Sequence, residues 1–192
     1  GFKINMKTKE ETIAGLLTKY RMTYSLSDEG GVNRLFGLKD LCDKFIAEDL
    51  VMLEVGSFAG VSSELFANYC KQLYCVDIWK EYSEINQENL NNGEKQFDEM
   101  IERYDNIVKV KLPSKEASET FEDGFFDVIY IDAAHDYTNV LIDISSWLPK
   151  LKKGGVMAGH DYVTLPGVRR AVDECFNNVH TFSDSSWAVI VD

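Results

Sequence analysis

The chain predicts an α/β fold with a mostly parallel sheet, and three observations carry that expectation. From residue 50 onward, apolar runs of strand length alternate with amphipathic stretches of helix length, the pattern of parallel strands joined by crossover helices. Phe125–Ile131 is apolar almost throughout, as suits a central strand buried on both faces. Val51-Met-Leu-Glu-Val-Gly-Ser-Phe-Ala-Gly60 runs from apolar residues through Gly56 and Gly60 into a helix-like segment. That order describes a strand, a tight loop and a helix N-terminus where a ligand can approach bare backbone.

Each element has its own justification. Ile13, Leu16, Leu17 and Tyr20 space a helix over Thr8–Tyr20, and the Gly30-Gly31 pair marks Ser25–Asn33 as a loop. Leu35, Leu38, Leu41, Cys42, Phe45 and Ile46 give a second helix ending near Asp49. Strands are expected at Leu50–Val55, Gln72–Asp77, Ile107–Leu112, Phe125–Ile131 and Val156–Gly159. The intervening helices are Val61–Cys70, Lys95–Tyr104, Ser114–Phe121 and Tyr137–Leu151, with a polar insert at Glu81–Glu94. Lys152-Lys153-Gly154-Gly155 reads as a helix stop, cations on the last turn and glycines beyond it. Gly167–Asn177 is a last helix, and Val179–Ser183 with Trp187–Val191 form a closing hairpin. Residues 1–49 are expected to be a helical cap segment and residues 50–192 the ligand-binding body, within one structural domain. The leading helices suit a cover for a sheet edge, a lid or a homo-oligomer contact, and the sequence favours none of these.

Composition narrows the function. Hydrophobic residues at 45% and charged residues at 27% are those of an ordinary soluble globular chain. A net charge of −12 argues against nucleic acid or an anionic membrane as partner, since either needs a basic face. Cys42, Cys70, Cys75 and Cys175 have no Cys-x-x-Cys spacing and read as scattered buried thiols in a reducing compartment. No apolar run approaches a membrane span and Gly1–Glu11 is polar, so a cytoplasmic setting is expected.

In open parallel sheets, ligands bind beyond the carboxyl ends of the strands. Those ends carry Glu54 and Gly56, Asp77, Ser114, Asp132 with His135, and His160 with Asp161. Glu54-x-Gly56-x-x-x-Gly60 lacks the first glycine of the dinucleotide fingerprint Gly-x-Gly-x-x-Gly and places a carboxylate there instead. A carboxylate beside the loop suits a cationic ligand better than a pyrophosphate. Asp77, roughly twenty residues beyond the loop, is placed to accept from ribose hydroxyls.

Glu54-x-Gly56-x-x-x-Gly60, Cys75-Val-Asp77, Asp127-Val-Ile-Tyr-Ile-Asp132 and Lys153-Gly-Gly155 together resemble a class I S-adenosylmethionine-dependent methyltransferase. Ile131-Asp-Ala-Ala-His-Asp-Tyr137, Gly159-His-Asp-Tyr162 and Gly167-Val-Arg-Arg-Ala-Val172 are similar to the macrocin O-methyltransferase-like group. The resemblance spans residues 50–192. It implies a Rossmann-like, doubly wound, mostly parallel sheet whose last strand is antiparallel and inserted beside its predecessor, with two N-terminal helices added.

By the same resemblance, Gly56, Ser57 and Gly60 would bound the methionine end of S-adenosylmethionine, Asp77 would bind its ribose and Ser114 would lie near its adenine. Glu54, Phe58, Ile78, Trp79 and Asp132 complete the expected cofactor-binding residues. Relatives often carry an acid just before that serine, whereas this chain has Pro113. In metal-dependent O-methyltransferases the ligands stand at the ends of the fourth and fifth strands, which match Asp132, His160 and Asp161. The base follows the first ligand by three residues, at His135. A histidine among the ligands favours Mn²⁺, Fe²⁺ or Zn²⁺, while Asp132 and Asp161 with waters suit Mg²⁺. A site without metal, in which His160 handles protons, stays open.

The leading expectation is methyl transfer to a hydroxyl of a small molecule. A non-catalytic S-adenosylmethionine-binding module and a methyltransferase-like metal-dependent hydroxylase are the alternatives. Trp79 and Tyr162 suit either a pocket wall or the core, Asp136 a helix cap, and His180 no role in the site.

Overall fold

The computed structural model describes residues 6–24, 34–80 and 85–192, with backbone alone for residues 21–24 and 34. The loop expected at Ser25–Asn33 and the start of the insert at 81–84 lie outside the described residues.

Seven strands form one sheet: β1 (Val51–Val55), β2 (Gln72–Asp77), β3 (Ile107–Lys111), β4 (Phe126–Ile131), β5 (Leu151–Gly159), β6 (His180–Thr181) and β7 (Trp187–Ile190). Their spatial order is β3-β2-β1-β4-β5-β7-β6, parallel from β3 through β5. β7 runs antiparallel to β5, and β6 pairs with β7 at the edge. The inserted antiparallel strand expected from the sequence is therefore present. The chain reverses direction across the sheet between β1 and β4, which opens a crevice at the carboxyl ends of those two strands.

Alternation along each strand divides the core. Met52, Leu73, Cys75, Val128, Tyr130, Val156, Ala158 and Ala188 face one way. Leu53, Val55, Val76, Ile129, Ile131, Met157, Trp187 and Val189 face the other. The first face is covered by α1 (Lys9–Tyr24), α2 (Arg34–Phe45), α3 (Val61–Ala67) and α4 (Gln87–Ile101). The second is covered by α5 (Ser114–Ser118), α6 (Tyr137–Trp147) and α7 (Pro166–Cys175). Ile13 of α1 and Leu38, Leu41 and Cys42 of α2 join the first core directly, so the leading helices complete a face rather than cover an edge. Cys42, Cys70 and Cys75 are buried, but Cys175 is exposed at the end of α7.

Several boundaries differ from the sequence expectation, and two of the differences have a plain physical cause. α4 begins at Gln87, eight residues before Lys95, with the Asn86 side chain accepting from Asn89 N at 2.9 Å as its cap. Its buried stripe is Leu90, Gly93, Phe97 and Met100, and apolar periodicity does not register a glycine. That glycine makes room for the Phe58 ring, which a Cβ at position 93 would approach to 2.5 Å. α6 stops at Trp147, and a 3-10 turn over Leu148–Lys150 contains Pro149, which cannot continue an α-helix. β5 then starts at Leu151, so the Lys-Lys-Gly-Gly run is strand. Gly154 N donates to Val191 O at 2.7 Å and Val191 N to Gly155 O at 2.9 Å, extending the ladder beyond β7.

One buried carboxylate fastens α1 to the body. Glu64 of α3, only 3% exposed at its side chain, accepts from the hydroxyl of Tyr20 and pairs with Lys19 at 3.3 Å. Beyond the end of α4, Arg103 meets it at 2.7 Å and Tyr104 Oη donates at 3.1 Å. Burial alone would raise its pKa, but the Tyr20 and Arg103 hydrogen bonds and the Lys19 and Arg103 charges hold it below the ordinary 4.5. A carboxylate with a lowered pKa stabilises the fold above its unfolded value and loses that contribution as pH falls through its folded one.

Arg103 and Lys19 are half-exposed and recover water when Glu64 is neutral. Glu64→Gln should therefore cost about 1–2 kcal/mol near neutral pH, by the usual worth of hydrogen bonds to a charged group. Urea denaturation would show this deficit shrinking as pH falls below 4.5.

Candidate active site

The crevice at the β1–β4 switch is set by an unusually close backbone crossing. Gly56 adopts φ +92°, and a Cβ there would sit deep inside van der Waals contact of the Asp132 carbonyl oxygen. Gly56 N donates to Val76 O and Asp132 N to Val55 O, each at 2.8 Å, so the ends of β1, β2 and β4 are bonded together at this point. Gly60 (φ +82°) precedes α3 with Met100 and Phe97 packed against it. The glycine loop is thus positioned from two sides, by β4 and by α4.

Glu54 is fully buried, and its two oxygens accept from the hydroxyls of Ser62 and Ser63 on the first turn of α3. Burial pushes its carboxyl above the ordinary range, against those hydrogen bonds. It therefore braces the loop from beneath. The Ser57 hydroxyl, near Glu54 and Cys75, is also buried and forms no well-aligned hydrogen bond among the described residues.

Asp77 accepts from Phe58 N at 3.0 Å and Trp79 N at 2.9 Å, one bond to each oxygen. A carboxylate has about four lone-pair sites, so acceptor capacity remains for a pair of ligand hydroxyls. Phe58 and Trp79 both take positive φ, 44° and 47°, to present those amides. Trp79 is 1% exposed, stacks on Phe97 at 5.1 Å and donates its indole N–H to Phe58 O at 2.9 Å. Its side chain therefore belongs to the core beneath the loop, while Phe58 is 40% exposed and Ile78 half-buried. Ser114 donates to Asp143 at 2.6 Å and accepts from the Trp147 indole at 2.9 Å, so its hydroxyl turns into the α5–α6 contact. Burial lifts Asp143 to about 6.

The left-handed glycine loop before α3 and the remaining acceptor sites of Asp77 fit a ligand that carries a ribose. Beside them a second group of side chains converges. One ligand atom each from Asp132, His135 and Asp161 lie within 4.8 Å of one another. His135 Nε2 is 3.4 Å from Asp161 Oδ2. Burial raises Asp132 to about 7, opposed by the charge of His160 and reinforced by Asp161. Two carboxylates and an imidazole, one carboxylate held far above its ordinary pKa, form a donor set that a divalent cation would relieve.

The group differs in one member from the expected Asp132, His160 and Asp161. His160 stands beside the group and not within it: its Nδ1 lies 3.2 Å from Asp161 Oδ1 and its Nε2 3.8 Å from Asp184 Oδ2. Burial would lower the His160 pKa, but the Asp161 hydrogen bond and the Asp132, Asp161 and Asp184 charges lift it to about 9. Burial would raise the Asp161 carboxyl, but hydrogen bonds from His160 and Thr164 and the His160 and His135 charges bring it below its usual range. Asp136 caps α6, accepting from Asn139 N at 3.1 Å. Tyr162 is half-buried and donates to Asp173 at 2.6 Å, and His180 lies on the edge strand β6 beside Phe45. Asp184 and Ser186 escaped the sequence reading, since a short polar turn between two strands carries no sign of chemistry.

A mostly parallel sheet with an inserted antiparallel strand, a glycine loop after β1 and an acid ending β2 make the fold that of the class I S-adenosylmethionine-dependent methyltransferases. The chain belongs to the methyltransferase-domain family, whose model matches residues 53–162, more than half of its length. A curated relative, the uncharacterized protein y4gI of Sinorhizobium fredii, is 24% identical over 118 residues. That match takes in 57% of this chain but spans 13% of the relative's own length.

Among solved structures, the O-methyltransferase NovP matches with a TM-score of 0.67 at 15% identity, over 96% of this chain and 99% of that one. A precorrin 8w decarboxylase from Methanobacterium thermoautotrophicum matches at 0.57 and 15% identity, covering 82% and 87%. The tRNA (m1A58) methyltransferase of Aquifex aeolicus matches at 0.56 and 12%, covering 76% and 53%. At these identities the likeness is one of fold.

Gly56→Ala tests the crossing. The added methyl meets the Asp132 carbonyl and forces a left-handed backbone on alanine, so a loss of about 3 kcal/mol in folding stability is expected. Calorimetric titration should show S-adenosylmethionine affinity falling at least about tenfold, since a backbone displaced by a fraction of an ångström loses more than one hydrogen bond to the ligand.

Proposed function

We propose that this protein transfers a methyl group from S-adenosylmethionine to a hydroxyl of a small molecule, with a divalent cation held by Asp132, His135 and Asp161 assisting. The observation that carries this reading is the convergence of those three side chains beside the glycine loop. Similarity of Ile131–Tyr137 and Gly159–Tyr162 to the macrocin O-methyltransferase-like group supports it, as does the fold likeness to an O-methyltransferase over nearly the full length of both chains. A net charge of −12 favours a small-molecule acceptor over nucleic acid.

S-adenosylmethionine supplies an electrophilic methyl group, and a divalent cation at the three side chains would favour the deprotonated form of an acceptor hydroxyl. The protein's own contribution is alignment and proton removal. Gly56, Ser57 and Gly60 seat the methionine end, and Asp77 holds the ribose through its free lone pairs. Asp132, placed against Gly56, joins the donor site to the acceptor site. His135 is 44% exposed at its side chain, open enough to meet an acceptor, and Asp161 lies close enough to stabilise the imidazolium that forms when it takes the proton. Its two roles are exclusive at one nitrogen. If Nε2 binds the cation, the proton leaves through solvent; if the cation rests on Asp132, Asp161 and waters, His135 is the base.

A metal-dependent hydroxylase is less well served by this arrangement. Non-haem iron oxygenases use two histidines and one carboxylate, whereas here one imidazole joins two carboxylates while His160 is held by Asp161 and Asp184.

Titration with S-adenosylmethionine, with and without chelator and with Mg²⁺, Mn²⁺ or Fe²⁺ supplied in turn, should show micromolar-range donor binding that survives chelation. Absence of donor binding would overturn the reading. Release of S-adenosylhomocysteine with a panel of sugars, catechols and glycosides should depend on the cation. His135→Ala should lower that turnover by about 10²- to 10⁴-fold, the usual worth of a general base, while donor affinity stays unchanged. A parallel loss of donor affinity would remove His135 from the acceptor side.

A further inference from the structure

His160 lies between two carboxylates, with Nδ1 3.2 Å from Asp161 Oδ1 and Nε2 at an ion-pair separation of 3.8 Å from Asp184 Oδ2, and Asp184 belongs to no motif. Asp184 lies in the turn between β6 and β7, is 3% exposed at its side chain, and accepts from Ser186 N at 3.0 Å and Ser186 Oγ at 2.6 Å. Ser186 Oγ is also 3.1 Å from the hydroxyl of Tyr130 on β4. From the other side, α2 presses Gly37 onto it: a Cβ at Gly37 would stand 2.5 Å from Asp184 N and 2.6 Å from its Oδ1. Asp184 is thus immobilised by β4, the hairpin and the N-terminal segment together.

The same turn grips the loop that carries Asp161. Tyr162 N donates to Ser185 O at 3.0 Å, and Val163 N donates to Ser185 Oγ at 2.7 Å. Asp161 (φ +65°) and Ser185 (φ +70°) both hold left-handed backbone where these segments meet. Within this grip Asp161 Oδ1 faces His160 Nδ1 and accepts from Thr164 Oγ1 at 2.9 Å, which leaves Oδ2 directed at His135.

We propose that Asp184, backed by Gly37 of α2, is a positioning residue that acts through His160 to hold Asp161 Oδ2 toward Asp132 and His135. The N-terminal helices are then part of the site's construction, because α2 sets where Asp184 stands. This role rests on the reading of Asp132, His135 and Asp161 as the reacting end. The geometry it asserts can be tested without that reading.

Asp184→Asn keeps the size of the side chain and an acceptor for Ser186 N but removes the charge facing His160. Mn²⁺ alone, followed by electron paramagnetic resonance, is the probe for the three-residue group. Its affinity should fall about 10- to 100-fold, the usual effect of losing an outer-shell partner. S-adenosylmethionine affinity and the melting temperature report any general loss of structure and should stay near wild type. Gly37→Ala, which displaces Asp184 without touching its chemistry, should shift Mn²⁺ affinity in the same direction. Crystal structures of wild type and Asp184→Asn supply the second measurement, with the His135–Asp161 separation expected to open beyond hydrogen-bond reach in the variant. Wild-type Mn²⁺ affinity in Asp184→Asn with Asp161 undisplaced overturns the proposal. If wild type itself binds no Mn²⁺, the cation part of the functional reading fails, and the crystallographic separation alone decides the role of Asp184.

Discussion

The crossing of Gly56 over the Asp132 carbonyl is the constraint on which the rest of the site depends. Two strand ends approach there more closely than any side chain at position 56 would permit, and three backbone segments are bonded across the contact. The crossing fixes the entrance of the glycine loop on one side. On the other it fixes the point from which Asp132 and, three residues later, His135 leave the sheet. Under the proposed function, a single backbone junction would position both the donor and the acceptor side of the reaction.

Around that junction the polar groups divide into two kinds. Glu54, Asp77 and Asp184 are held by several donors each and shape the backbone or neighbouring rings. Asp132, His135 and Asp161 converge on a shared space, with His160 against Asp161. A carboxylate satisfied by local hydroxyls is a structural part, while one raised to about 7 by burial and like charge awaits a partner. By that distinction Glu54, conspicuous in the sequence, acts from beneath the ligand loop through Ser62 and Ser63.

Much of the fold was legible in the sequence because apolar alternation reports burial directly. The strand at Gln72–Asp77 agrees to the residue, and the antiparallel insertion of β7 follows the resemblance. The losses have physical causes. α4 was shortened because its inward stripe includes Gly93, chosen for the space Phe58 needs and not for its apolarity. β5 was shortened because Lys-Lys-Gly-Gly signals a helix end by composition, while Pro149 had already ended the helix. In the site, sequence spacing locates His135 and His160 equally well at strand ends. It says nothing about which way an imidazole turns, and the His160 ring lies between Asp161 and Asp184, the latter a residue in a turn with no motif of its own.

The contact between Gly37 and Asp184 joins the beginning of the described fold to its last hairpin. Loop-closure cost grows only slowly with separation, so this contact costs little more than the pairing of β1 with β4. A change at Gly37 of α2 therefore reaches the carboxylate facing His160 without altering any residue of the strands that frame the crevice.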